Sequence, residues 1–393
     1  MKVVLALLFA YFIFFPFGQL AQISLQMTEV NVYIIDLLVF SILLSWGIWR
    51  IRRKKTKYQL PPLTLPLILF SLISFLSFTL ATPLLSNREV MVAGLYLLRW
   101  LVYVGFYFVI ADIKNRYLKP RNLIDYLAIT GVALAIFGFV QYFLYPNLKP
   151  LEFLHWDPHF YRLVSTFLDP GFTGLVLALT LIILANLLFE KEDKKWLILA
   201  MFVTYMALIL THSRSSYLAF LTGIGLVSWL RKNFKILIIS LLVLFFSLLI
   251  LPQPEGEGGK LARTYTIDYR IENYKNTLTI AKDNLFLGVG FNAFRYAQRD
   301  YGFLKEDSWQ ASHAGAGADS SLLFVLATTG ILGLMSYLWF LTRAGALAFW
   351  QRKKTIGVIS LASLGAIIIH SFFLNSLFYP WIMGWLMILL ACL

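Results

Sequence analysis

The sequence predicts an all-α, polytopic membrane protein with about 12 transmembrane helices. Apolar residues make up 59% of its 393 residues and charged residues only 14%, whereas typical soluble domains have about 45–50% and about 25%. A soluble globule of this size could not bury so much apolar surface, which excludes a water-soluble enzyme. The single cysteine, Cys392, excludes a disulfide framework and a cysteine-ligated zinc site.

The apolar stretches give the order of the spans, with boundaries accurate to a few residues. The first stretch follows Lys2 and lacks a small-residue cleavage site, so we expect a retained span rather than a removed signal peptide. The predicted spans are 3–25, 31–49, 63–82, 91–111, 122–144, 171–189, 196–211, 215–230, 236–251, 319–342, 355–373 and 375–393.

The basic residues between the spans predict the orientation. With the N-terminus inside, the cytoplasmic segments hold 21 Lys and Arg, and the opposite side holds 12, of which 8 lie in the long segment 252–318. Cytoplasmic loops carry the excess of basic residues, and long translocated loops count little. We therefore expect both termini inside. The net charge of +14 follows this pattern and does not indicate a nucleic-acid partner.

The chain divides into three parts around its long extracytoplasmic loop. Spans 1–9 occupy residues 1–251 and include a short periplasmic segment at 145–170; the large periplasmic loop is 252–318; spans 10–12 occupy 319–393. Within the loop, 253–260 (QPEGEGGK) reads as a flexible linker.

An amphipathic helix is expected in the loop over about 265–283, because apolar residues recur there at helical spacing. It would lie on the outer membrane surface or cap the bundle. The following Gly288-Val289-Gly290 is not a dinucleotide loop, because it lacks the strand–turn–helix context and lies on the extracytoplasmic side.

Two arginines lie within or between apolar stretches, where a charge is costly. Arg99 lies inside the fourth span; it either snorkels or pairs with a carboxylate such as Asp36, or it contacts a phosphate from within the bundle. Arg214 lies in a short polar break beside hydroxyls and a histidine. This break is either a solvated turn or an anion site, in which guanidinium and hydroxyl donors and the next helix N-terminus bind phosphate.

Arg270 lies in the predicted loop helix. It is either a surface charge paired with Asp268 or Glu272, or an anion ligand. Arg162, taken alone, is uninformative.

Asp319 opens the tenth span, where two roles compete. It is either a helix N-cap or a general base that takes a proton from an acceptor hydroxyl, and capping would lower its basicity. His313 lies six residues earlier and could share its site, whereas His370 in the eleventh span is expected to be a satisfied interior histidine. His155 and His159 have metal-like spacing, but an intervening proline and the lack of a third ligand argue against a metal site.

Four motifs follow one another on the predicted outer side. They are Arg162 followed by STFLDP at 165–170, THSR at 211–214, Arg270 followed by DNLFLGVGFNAF at 283–294, and DSSLL at 319–323 followed by TGILG at 329–333. Together they resemble the O-antigen ligase and O-antigen polymerase superfamily. The resemblance covers about residues 160–335 and, through the span count, extends to the whole chain.

The resemblance implies a membrane glycosyltransferase in the bacterial cytoplasmic (inner) membrane that uses an undecaprenyl-pyrophosphate-linked oligosaccharide on the periplasmic side. It implies that the pyrophosphate is bound by Arg214, Arg270 and Arg162, with Ser213 and His212 of the hairpin. The histidine of the ligases falls on Asp319 here. An aspartate fits the polymerase branch better, so we prefer a polymerase, although His313 could be displaced and serve as the base instead.

The expected reaction is inverting and needs neither a metal nor a cofactor, because the arginines would neutralise the leaving group. The expected partners are the lipid-linked donor, an acceptor glycan and the bilayer, with a chain-length regulator as a further candidate. Three alternatives stay open. They are a ligase that transfers the glycan to lipid A–core or another acceptor, a transporter of lipid-linked sugars, and a non-catalytic assembly subunit that needs no base.

Overall fold

The computed structural model describes residues 1–25, 30–53, 59–114, 116–150, 159–190, 194–250, 265–304 and 317–393. Over these ranges the chain is almost entirely helical. The helices are α1 (Lys2–Phe14), α2 (Ile34–Arg52), α3 (Thr64–Ala81), α4 (Asn87–Ile113), α5 (Pro120–Leu144), α6 (Pro170–Leu187), α7 (Lys195–Leu210), α8 (Arg214–Leu230), α9 (Phe234–Ile250), α10 (Tyr265–Asp283), α11 (Phe294–Asp300), α12 (Ser321–Trp350), α13 (Thr355–Ser371) and α14 (Pro380–Cys392).

The helical, polytopic class predicted from the sequence is confirmed. Each predicted span overlaps one helix of α1–α9 or α12–α14. Among the described residues, seven helices are long and apolar enough to cross a membrane, and four more are apolar but shorter. The count of twelve spans and the N-in orientation stay predictions.

Two further elements lie outside the long helices. The predicted loop helix coincides with α10, which packs against α12. Asn273 and Thr277 of α10 are buried, whereas Ile267 and Ile271 are exposed. Two short antiparallel strands, β1 (Gln22–Leu25) and β2 (Val30–Tyr33), lie between α1 and α2. The predicted spans 3–25 and 31–49 are therefore wrong at 22–25 and 31–33, where the backbone pairs as strands instead of forming a helix.

Helix α12 is interrupted at Gly330 by the segment that follows α10. Gly330 has a φ of 66°, and the amide of Ile331 donates to the carbonyl of Leu285 (2.8 Å) instead of continuing the helix. A Cβ at Gly330 would lie 2.2 Å from the carbonyl carbon of Phe286. The motif at 283–294 thus packs into the break in the motif at 329–333, and this contact fixes α10 relative to α12.

We expect Gly330→Ala to destabilise the protein, because alanine combines an unfavourable positive φ, at about 1–3 kcal/mol, with a backbone clash. The melting temperature of the purified protein in detergent measures the effect. Gly345→Ala in the same helix is the matched control, since its Cβ would lie 3.7 Å from Leu364, an ordinary contact. Equal melting temperatures for the two variants would contradict the proposed packing.

Helix α8 lies between α6 and α13 and brings several helix ends together at one end of the bundle. At that end, Ser216 near the start of α8 donates to the carbonyl of Gly171 at the start of α6 (3.1 Å). Ser321 at the start of α12 donates to the carbonyl of Leu374, just after α13 (3.4 Å). The termini of four helices therefore meet where the predicted site residues lie.

Candidate functional site

The hairpin Thr211–Arg214 joins α7 to α8 and is held by Arg162. The Arg162 side chain is buried, and it donates from Nε to the carbonyl of Thr211 (3.0 Å) and from Nη2 to the carbonyl of His212 (3.3 Å). His212 has a φ of 47°, so the hairpin turns sharply at this residue. Arg162 thus orients the hairpin, and its direct contact with a pyrophosphate stays a prediction.

Beneath the hairpin, a buried network of hydroxyls ends on a histidine. The Oγ atoms of Ser216 and Ser213 are 2.8 Å apart, and those of Ser213 and Ser215 are 3.2 Å apart. His370 lies 3.2 Å from Ser215 Oγ through Nε2 and 2.6 Å from Ser376 Oγ through Nδ1. Both ring nitrogens have partners, so the prediction of a satisfied interior histidine is confirmed. Ser213 and His212 are buried, and their predicted role as phosphate donors is untested.

Arg214 and Arg270 lie close enough for their charges to interact. Arg214 is the first residue of α8, and Arg270 lies in α10; their positive charges act on each other. The Arg270 guanidinium carbon is 5.8 Å from the ring centroid of Phe373. Within the described part of the chain, Arg270 pairs with neither Asp268 nor Glu272. A bound anion would be attracted by both guanidinium groups at once, so the arrangement suits a strongly anionic group.

Arg270 interacts electrostatically with several other ionisable side chains. Its field acts on groups from four further elements, namely Asp169, Arg214, Asp319 and His370, and on Tyr274 in its own helix. These residues are far apart in the sequence. Their shared interaction with one guanidinium makes this region the candidate site.

Asp319 lies at the mouth of this site, two residues before α12. Its amide donates to Asn273 Oδ1 (3.0 Å), and Asn273 Nδ2 donates to the carbonyl of Gly317 (3.0 Å), so α10 holds the segment in place. The N-cap of α12 is Ser320, so the capping alternative for Asp319 is wrong. Burial raises the pKa of the Asp319 carboxyl to about 6, against the lowering effect of Arg270. A carboxylate with this pKa is suited to accept a proton near neutral pH.

Asp169 belongs to the same site but received no role from the sequence. It caps α6, with Oδ1 accepting from the amide of Phe172 (2.8 Å). Burial raises its pKa, while the amide bonds and the charges of Arg162 and Arg270 oppose the shift. An aspartate followed by a proline is typical of a helix start, so the sequence predicts that Asp169 caps α6. It does not predict that Asp169 lies near Arg162 and Arg270.

Arg99 is part of a separate ion-pair network. Its Nη2 lies 2.8 Å from Asp36 Oδ2 and donates to the carbonyl of Asn31 (2.6 Å). Tyr103 donates to Asp36 Oδ1 (3.1 Å). The predicted pairing of Arg99 with Asp36 is confirmed. His313, His155 and the predicted linker 253–260 lie outside the described residues.

The fold and the site define a polytopic membrane protein with two converging arginines and a carboxylate at one end of its helical bundle. Residues 197–338 match the family model described as O-antigen ligase, which confirms the resemblance to the O-antigen ligase and polymerase superfamily. The match supports a membrane enzyme of glycosyltransferase type that acts on a lipid-linked glycan and an acceptor. The matched range includes Arg214, Arg270 and Asp319. A comparison with curated proteins finds no match.

Proposed function

We propose that the protein transfers a glycan from undecaprenyl pyrophosphate to a sugar hydroxyl, and so polymerises lipid-linked oligosaccharides on the outer face of the cytoplasmic membrane. The observation that carries this proposal is the approach of Arg214 and Arg270 beside the half-buried Asp319. A pyrophosphate anchored by its polyprenyl tail would place two negative groups at the end of a membrane helix bundle. One guanidinium group can donate two parallel hydrogen bonds to the oxygens of a phosphate.

The chemistry follows from these three side chains. The bond between the anomeric carbon and the pyrophosphate oxygen breaks, and the pyrophosphate leaves with the electron pair. Arg214 and Arg270 stabilise the charge that develops on it. The acceptor hydroxyl oxygen attacks the opposite face of the anomeric carbon, and its proton passes to Asp319. The configuration at this carbon is therefore inverted.

The identity of the acceptor separates two versions of this reaction. Asp319 occupies the position where the ligases of the resembled family carry a histidine, which favours a polymerase. The description of the matched family model as O-antigen ligase favours the alternative, transfer to lipid A–core or another acceptor. A transporter is disfavoured, because Arg99, the arginine deepest in its span, is neutralised by Asp36 and does not extend a cationic route.

Reconstitution of the purified protein in lipid vesicles with a defined undecaprenyl-pyrophosphate oligosaccharide tests the proposal. We expect a ladder of longer glycans that stay attached to the lipid. Glycan that leaves the lipid only when lipid A–core is added would indicate the ligase instead. A donor that is unchanged under both conditions would contradict glycosyl transfer.

A further inference from the structure

Asn273 of α10 binds the backbone on both sides of Ala318, in the segment that leads into α12. Its Oδ1 accepts from the amide of Asp319 (3.0 Å), and its Nδ2 donates to the carbonyl of Gly317 (3.0 Å). Asn273 is buried, with only 5% of the residue exposed. Removal of this side-chain amide would leave two backbone groups without their partner, which is costly in a buried place. Asn273 thus fixes the chain at the residue that carries the proposed base.

The Asp319 carboxylate has no comparable anchor of its own. Among the described residues it forms neither a hydrogen bond nor an ion pair. A Cβ at Gly317 would meet no atom within 4 Å, so packing does not hold the chain at that residue. The backbone is held here by the buried Ala318 and by the two hydrogen bonds of Asn273. The place of the carboxylate therefore depends on Asn273.

The same turn of α10 carries the arginine of the site. Arg270 lies three residues before Asn273, and side chains at this spacing are neighbours on one side of a helix. The Tyr274 hydroxyl donates to the carbonyl of Phe372, and the Arg270 guanidinium carbon is 5.8 Å from the ring centroid of Phe373. The turn is therefore docked against the segment that follows α13. One helical turn connects the cation for the leaving group with the backbone of the base.

We propose that Asn273 is a positioning residue, which sets the distance and direction of the Asp319 carboxylate relative to Arg270. This inference rests on the proposed function, in which Arg270 binds the leaving group and Asp319 takes the proton of the acceptor hydroxyl. In an in-line displacement these events occur on opposite sides of the anomeric carbon, so the base and the cation must be held at a fixed separation. A misplacement of about 1 Å can lower a rate by about 10²-fold. Asn273 itself acts through the backbone of Asp319.

Two variants of Asn273 test this role in the vesicle assay, at equal amounts of folded protein. Asn273→Ala removes both hydrogen bonds and should lower kcat by about 10–10²-fold, with the KM for the lipid-linked donor unchanged. Asn273→Gln keeps an amide but places it one methylene further from the helix. It leaves the backbone groups a partner, so we expect a folded protein with a smaller loss of kcat. The matched control is Asn276→Ala, which removes another asparagine of α10 and should keep the wild-type kcat.

A double-variant cycle separates the positioning of the base from general support of the fold. If Asn273 acts through Asp319, Asn273→Ala should lower kcat no further in the Asp319→Asn background. An equal further loss in that background, a raised donor KM, or a wild-type kcat in both Asn273 variants would overturn the inference and leave the proposed function standing. Full activity of Asp319→Asn would overturn the assignment of the base and the inference with it. The absence of transfer by the wild-type protein would overturn the proposed function as well.

Discussion

Arg270→Ala is expected to lower kcat for glycan transfer by about 10²–10³-fold or more while the protein remains folded. Arg270 is half-buried, acts electrostatically on Asp169, Arg214 and Asp319, and forms no ion pair among the described residues. Its removal breaks no ion pair among the described residues, so stability should change little, while the pKa of Asp319 should rise further. Product formation from the lipid-linked donor, compared at equal amounts of folded protein, measures the loss.

Four further variants test whether the charge and shape of Arg270 matter. Lys275→Ala removes an exposed cation from the same helix and should keep full activity. Arg270→Lys keeps the charge but loses the paired donors, so we expect intermediate activity. Arg214→Ala should be as inactive as Arg270→Ala, and the double variant little worse than either, because the two groups act on one leaving group. Wild-type rates in both single variants would refute the pyrophosphate assignment.

The spans and the loop helix could be predicted because their signals are local. Apolar stretches of membrane length and helical spacing are read directly from neighbouring residues. The helix predicted over about 265–283 thus agrees with α10 (Tyr265–Asp283). The insertion at Gly330 could not be predicted in this way. It depends on the backbone of Leu285 and Phe286, which lie far away in the sequence.

The site was predictable in its residue types but not in its geometry. Arg214 and Arg270 were singled out because a cation near a membrane needs a partner, but only the fold shows that they approach each other. The hydrogen bonds from Arg162 to two backbone carbonyls have no signature in the sequence. Asp319 was open to interpretation as an N-cap, because the start of a helix is uncertain by one or two residues; α12 begins at Ser321 and is capped by Ser320.

Asp319→Asn is expected to lower kcat by about 10²–10⁴-fold with little effect on the KM for the donor, because the amide cannot accept a proton. In the wild-type protein the base must be ionised, and burial raises the pKa of Asp319 to about 6. Activity should therefore be full above this pH and fall tenfold for each pH unit below it. A rate profile between pH 5 and 8, measured at saturating donor, checks the sign and the position of this step.

The residual activity of Asp319→Asn separates a base from a residue that only shapes the site. If Asp319 is the base, the residual rate should no longer step near pH 6, while Asp319→Glu should restore part of the rate together with a step. Asp268→Asn, which removes an exposed carboxylate in α10, should keep the wild-type profile. A step that persists in Asp319→Asn would assign the proton to another group, and His313 would then be the first residue to replace.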